Sequence, residues 1–200
     1  YTTLFRSEWM RGEEVMRTIR DAVVADLSEI VAIYNAAIPD RLATADLEPV
    51  AVESRTDWFF AHSPAERPIW VLEIDAAIAG WLSFQSFYGR PAYKATAEVS
   101  IYVAPSYRRC GVGRQLLSYA IEQSPSLELK TLLGFIFAHN HPSIELFDAF
   151  GFQRWGYLPQ VANLDGVERD LVIMGKQIQL SVKQESSEQG SNYQLPTTSY

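Results

Sequence analysis

One cysteine in 200 residues, Cys110, leaves no internal disulfide to be formed. No stretch is apolar for the eighteen or so positions that a membrane-spanning helix requires, and nothing resembles a secretory hydrophobic region, so a soluble cytoplasmic protein is expected. Positive charge is scarce as well. Seventeen Lys and Arg stand against 24 Asp and Glu, a net charge of −7, which argues against a nucleic-acid partner held through surplus cations. Only three histidines occur, and His139 and His141 have no third ligand at useful spacing, so no metal site is expected. A Gly-x-Ser-x-Gly nucleophile elbow is missing, and with it the case for a serine hydrolase.

What is present is 48% hydrophobic residues, enough for one sizeable core. Three segments are expected: an N-terminal extension over 1–16, a folded domain over 17–180, and a flexible polar tail over 181–200 that is rich in Ser, Gln, Glu and Thr. Within the domain, the patterning predicts strands over 19–23, 69–74, 77–88, 95–103, 131–137, 152–158 and 167–178, with a hairpin across Asp75-Ala76. A first helix follows Asp26, which is expected to cap it with Glu29 three residues on; Leu27, Ile30, Val31 and Tyr34 form its buried stripe, and Pro39 ends it. Further helices are predicted over 49–62, 111–123 and 142–150. The order of elements suits a mixed α/β sheet with helices on both faces.

The most informative stretch is Val103-Ala104-Pro105-Ser106-Tyr107-Arg108-Arg109-Cys110-Gly111-Val112-Gly113-Arg114. It leads a strand into a helix through a loop in which Pro105 ends the ladder and Gly111 and Gly113 free the backbone to turn its amides inward. A helix N-terminus of this kind, with Arg108, Arg109 and Arg114 beside it, is an anion site; the alternative for the arginines is an ordinary solvated patch. Cys110 within it reads as structural, since no His stands in a partner motif. Glu98 is the second notable residue. A carboxylate in the middle of an apolar strand is costly to bury without a purpose or a partner; it is a candidate general base, and the alternatives are a surface charge on an open sheet face or a salt-bridged structural group. It shares a strand face with Ser100 and Tyr102, while Val99, Ile101 and Val103 face the other way.

Arg108-x-x-Gly111-x-Gly113, together with Thr96-Ala97-Glu98-Val99-Ser100-Ile101-Tyr102-Val103, Asn140-His141-Pro142-Ser143 and Ala149-Phe150-Gly151-Phe152, resembles the GNAT N-acetyltransferase superfamily, in particular its phosphinothricin and methionine sulfoximine acetyltransferase branch. The resemblance covers roughly residues 18–178. It implies a mostly antiparallel central sheet of about seven strands flanked by about four helices, acetyl-CoA as cosubstrate, and acetyl transfer to a small amino-acid-like amine by direct attack in a ternary complex. It implies that Glu98 is the general base, that the Val103 N–H is the oxyanion donor, and that Ile101, Tyr102 and Val103 meet the pantetheine arm. Arg108, Arg109, Cys110, Gly111, Val112, Gly113 and Arg114 would hold the diphosphate.

Asn140 and Ser143 match the family's asparagine motif as cofactor contacts, although Asn140 also reads as a plain helix cap. Arg90, Tyr93 and Thr96 fall in the segment of the acceptor pocket, where an Arg fork suits a carboxylate. Tyr34, with Asn35, matches a Tyr-Asn pair in the first helix, while its place in the buried stripe gives it a structural alternative. Homodimers are common in the resembling enzymes. One departure stands out: Phe147 occupies the position of a Tyr or His in the family, so no side chain is assigned as general acid. A protein or peptide acetyltransferase of the same fold and a non-catalytic acyl-CoA sensor are the rival readings.

Overall fold

The structure, a computed structural model, describes residues 3–6 and 15–178. The expected tail over 181–200 and much of the expected N-terminal extension lie outside the described residues. Along the chain run β1 (Thr3–Arg6), β2 (Met16–Asp21), α1 (Leu27–Asn35), α2 (Thr56–Phe60), β3 (Ile69–Ile74), β4 (Ala77–Ser86), β5 (Thr96–Val103), α3 (Val112–Gln123), β6 (Thr131–Phe137), α4 (His141–Ala149), β7 (Gln153–Leu164) and β8 (Val167–Gln177). Together the strands form one open sheet in the order β1-β2-β3-β4-β5-β6-β8-β7. Every described neighbouring pair is antiparallel except β5 and β6. Seven strands are those the sequence predicts, and β1 adds an eighth by pairing with β2.

Alternation along the strands sends two sets of side chains to opposite faces. On one face Ile30, Val31 and Ile33 of α1 and Phe59 of α2 pack on Ile69, Val71 and Trp81. On the other, Leu116, Leu117 and Ala120 of α3 and Phe147 of α4 close over Leu72, Leu82, Phe84, Val99 and Leu132. The hairpin between β3 and β4 turns at Asp75 and Ala76, both in the left-handed region (φ 50° and 66°), the geometry of a two-residue turn whose twist matches the strands it joins.

Several boundaries differ from expectation. Asp26 does not cap α1. Its carboxylate accepts from the Val23 N–H at 2.8 Å and from the two terminal guanidinium nitrogens of Arg20, Nη1 and Nη2, at 2.6 and 3.0 Å. Burial pushes that carboxyl up, but these donors outweigh it and leave it below the ordinary aspartate value. Helix α1 stops at Asn35 rather than running on to Pro39, and the second predicted helix shrinks to a 3-10 turn over Glu53–Arg55 followed by α2. Strand β7 is longer than predicted. It continues to Leu164 through a register shift between Leu158 and Ala162 that accommodates Pro159 and turns at Asp165-Gly166, a favoured hairpin pair.

Phe147 is buried against β6, and a Cβ built on Gly134 would sit 2.5 Å from Phe147 Cε1. Glycine is therefore required at 134 by the phenyl ring. Gly134→Ala is expected to lower stability by about 1–3 kcal/mol, the usual range for overpacking, and a second change, Phe147→Leu, should recover part of it. Thermal denaturation of the single and double variants checks this.

Candidate active site

Strands β5 and β6 pair only at Thr96–Thr131, Ala97–Leu132 and Glu98–Leu133. Beyond Glu98 they diverge, while β5 stays paired with β4 as far as Val103. Backbone groups on a strand point alternately to either side, which fixes what the gap contains. Ala104 N–H donates to Ala79 O on the β4 side, and Ala95 O accepts from Lys130 and Thr131 on the β6 side. It follows that the N–H and C=O of Val99, Ile101 and Val103 face the gap, and those of Tyr102 face β4. The divergence thus opens a row of main-chain donors and acceptors with no strand opposite.

The gap is a cleft of about 330 Å³, lined by Glu98 to Val103, Gly113, Phe135 to Phe137, Asn140, Ser143, Leu146 and Phe147, with Leu42, Ala43, Thr44 and Ala45 over it. At one end stands the loop before α3. Gly111 is the N-cap of α3 with φ 80°, and Gln115 N–H to Gly111 O is the first helical bond. Among the described residues, the N–H groups of Gly111, Val112, Gly113 and Arg114 make no backbone hydrogen bond, as befits the first turn of a helix. Arg17 braces the loop from β2, donating to Cys110 O at 3.0 Å and to Gln115 Oε1 at 3.2 Å.

The three loop arginines are not equivalent. Arg108 pairs with Asp40 at 2.8 Å, Arg109 is exposed with φ 63°, and Arg114 lies over the Phe150 ring at 5.3 Å. Asn140 takes the helix-cap role: its Oδ1 accepts the Ser143 N–H at 3.2 Å, and its Nδ2 donates to Leu42 O at 3.0 Å. Both polar ends of that side chain are thus engaged within the protein, holding the 42–45 segment over the cleft. His139 Nε2 pairs with Arg41 O at 2.9 Å in the same seam.

Glu98 is half-buried at the point where β5 and β6 part, and burial pushes its carboxyl above the ordinary value of 4.5. A raised carboxyl holds a proton more firmly, which makes its anion a better acceptor at neutral pH. Its strand face continues through Ser100 and Tyr102 into a second cavity of about 170 Å³, between the sheet and α1 and α2. Tyr34, Arg55, Trp58, Trp81, Ser83 and Gln85 complete its wall. Tyr34 Oη donates to Asp46 at 2.6 Å, and Arg55 Nη2 donates to the same carboxylate at 2.8 Å. Burial, first of all, pushes both Tyr34 and Tyr102 up, so both phenols remain neutral.

The sequence profile of the acetyltransferase (GNAT) family matches residues 30–152. The chain belongs to the GNAT acetyltransferase family. Among its relatives, the Bacillus subtilis protein YwnH, provisionally assigned as a phosphinothricin acetyltransferase, is 47% identical over 162 residues, 80% of this chain and 99% of the relative. The L-methionine sulfoximine/L-methionine sulfone acetyltransferase of Pseudomonas aeruginosa PAO1 is 36% identical over 159 residues, 78% of this chain and 92% of that one. A solved GNAT phosphinothricin acetyltransferase from Sinorhizobium meliloti, in complex with acetyl-CoA, superposes with a TM-score of 0.76 at 28% identity, covering 81% of this chain and 88% of that chain.

Within this GNAT chain, seven of the expected site residues converge on the cleft: Glu98, Ile101, Tyr102, Val103, Gly113, Asn140 and Ser143 line it, and Tyr34 lines the adjoining cavity, while Arg108 to Val112 and Arg114 belong to the loop and helix start and are not among the residues lining either cavity. Arg90 and Tyr93 also line neither. Both are exposed in the turn before β5, where Tyr93 packs edge-on against Phe87 and at a tilt against Tyr88 instead. Thr96 starts β5 at the paired end, also outside both cavities. Arg55, Trp81, Ser83, Gln85 and Ser100 line the second cavity without having been singled out as site residues, with Asp46 bonded to Arg55 behind it. For the β4 residues the signal was available, since Ser83 and Gln85 are opposite Ser100 and Glu98 in register. Among the described residues, no helix is long and apolar enough to cross a membrane.

Proposed function

We propose that the protein is an acetyl-CoA-dependent N-acetyltransferase acting on the amine of a small amino-acid-like acceptor, by direct attack within a ternary complex. The observation that carries it is the loss of β5–β6 pairing after Glu98, which leaves the main chain of Val99, Ile101 and Val103 open along a channel from the loop at 108–113 to a desolvated carboxylate. The loop amides and the N-terminus of α3 receive the diphosphate, and the β5 edge pairs with the pantetheine amides. Arg108 adds charge once it leaves Asp40.

An amine of lysine-like pKa, about 10.4, is almost wholly protonated at neutral pH. Glu98 takes one proton from it, directly or through a water, and the freed nitrogen lone pair forms a bond to the thioester carbonyl carbon. The oxyanion is met by the Val103 N–H. Collapse of the intermediate breaks the C–S bond, the second proton of the attacking nitrogen is released to water, and the CoA thiolate, with a pKa near 8.5, departs without a side-chain acid and takes up that proton through the water. Phe147 supplies no proton, in keeping with its burial against Gly134.

The small aromatic-walled cavity supports an amino-acid-sized acceptor over a peptide chain. Thiol release from acetyl-CoA across a panel of amino acids and peptides tests this: release with amino acids supports it, release with peptides alone would select the protein-modifying reading, and tight cofactor binding without release for any amine would select the sensor.

The Asp40–Arg108 pair yields a second expectation. Both partners are partly exposed, so their mutual attraction is modest, and the diphosphate competes with Asp40 for the guanidinium. Asp40→Asn is expected to tighten acetyl-CoA binding by about two- to fivefold, the scale of an exposed ion pair, with the gain fading at high salt. Calorimetric titration at two ionic strengths checks it.

A further inference from the structure

We propose that Arg55 is the residue that selects the acceptor, reading an uncharged oxygen-bearing tip on its side chain within the cavity walled by Tyr34, Trp58 and Trp81. The proposal rests on the reading of the chain as an amino-acid N-acetyltransferase. The cavity joins the cleft through Ser100 and Tyr102, which line both. An acceptor whose amine sits by Glu98 therefore has its side chain directed along the face that carries Ser100 toward the cavity, because Glu98 and Ser100 are two positions apart on one strand face, about 7 Å.

Among the described residues, Arg55 is the one cation that lines the cavity. Its guanidinium lies 4.9 Å from the Tyr34 ring centroid, and its Nη2 is committed to Asp46 at 2.8 Å. A guanidinium carries five N–H donors in a planar fork, so the remaining donors can serve a ligand. The pair decides what kind of ligand fits. Asp46 balances the charge of Arg55, so a second anion gains little from the cation and meets repulsion from the carboxylate, whereas a neutral S=O or C=O oxygen receives a charge-assisted hydrogen bond at no such cost. Aromatic walls then take up the apolar remainder of the side chain.

The relatives named for methionine sulfoximine, methionine sulfone and phosphinothricin supply probes that separate these terms. Methionine sulfone and phosphinothricin have tips of similar shape that differ in charge, and methionine lacks the oxygens. A hydrogen bond to a charged group is worth about 1.5–3 kcal/mol, or roughly 10- to 150-fold. For the unaltered chain, kcat/KM with L-methionine sulfone should exceed that with L-methionine by about that ratio, and should exceed that with phosphinothricin as well.

Arg55→Met should collapse the sulfone-to-methionine ratio to about threefold or less, chiefly through KM, with Arg55→Lys intermediate. Asp46→Asn should raise the phosphinothricin-to-sulfone ratio by about tenfold. Acetyl-CoA affinity, measured for each variant, verifies that it folds, and Arg55→Lys reports the same ratio if Arg55→Met does not. Equal losses with sulfone and methionine in the Arg55 variants, or equal rates for the two in the unaltered chain, would overturn the assignment while leaving the acetyltransferase reading intact. Transfer to no amine at all would overturn that reading, and this one with it.

Discussion

Glu98→Gln should cut kcat by about two to four orders of magnitude, the contribution expected of a positioned general base, and leave acetyl-CoA affinity essentially unchanged. The glutamine keeps the shape of the side chain and its place at the parting of β5 and β6, so binding determinants at 108–113 are untouched; only proton acceptance is lost. The pH profile sharpens the test. Because burial holds the Glu98 carboxyl above 4.5, kcat/KM of the parent should rise with pH through that raised value as the carboxylate forms, and the variant should lose this limb. Stability should move the other way. A carboxyl whose folded pKa lies above its unfolded one stabilises the fold fully below the unfolded value and loses that contribution as pH rises through the folded one. Glu98→Gln should therefore raise Tm at pH 7 and leave it nearly unchanged at pH 4. Undiminished turnover, or an unaltered acid limb, would remove Glu98 as the base.

Gly111→Val should weaken acetyl-CoA binding by more than about tenfold, that is by at least 1.4 kcal/mol. A bulky side chain at this position reads from sequence as crowding the diphosphate directly. The structure adds a different cause: a Cβ at Gly111 meets no protein atom within 4 Å, but φ is +80°. The left-handed conformation costs an L-residue about 1–2 kcal/mol, and a β-branched residue more, so the turn would relax and swing the N–H groups of 111–114 away from convergence. Gly111→Asn separates conformation from bulk, since Asn tolerates that region. It should lose much less affinity than Val. Equal binding by Gly111→Val and the parent, followed by calorimetry with acetyl-CoA, would count against the loop as the diphosphate site.

The central strands were legible because their patterns are local. β3, β4, β5 and β6 begin and end within two residues of their predicted limits, and the turn at Asp75-Ala76 is where alternation breaks. The glycine loop was legible for the same reason: a strand, a proline, two glycines and a helix stripe follow one another within fifteen residues. What escaped depends on distant partners. Asp26 looks like a helix cap until Arg20 and the Val23 N–H claim its carboxylate, and β7 looks finished at Leu158 until its pairing with β8 carries it past a proline. Arg55 meets Tyr34 across 21 positions and lines one cavity with Trp81, 26 positions on, so no spacing rule announces the cavity they share. Arg90 and Tyr93 show the reverse: a resemblance placed them at the acceptor, and the turn before β5 leaves them exposed. Asn140 read equally well as a cap and as a ligand contact, and the chain uses its amide to bind its own backbone at both ends.

Strand β5 carries two vocabularies on one ribbon. On the proposed reading, odd-numbered positions would speak to the acyl donor through peptide groups, which every amino acid except proline possesses, while even-numbered positions would speak to the acceptor through their side chains. Substitutions at 100 and 102 would therefore rewrite acceptor choice without disturbing the grammar by which the thioester is held, and a library confined to those two sites, with their cross-strand neighbours at 81 and 83, would search new amines while the base at 98 and coenzyme recognition are inherited intact.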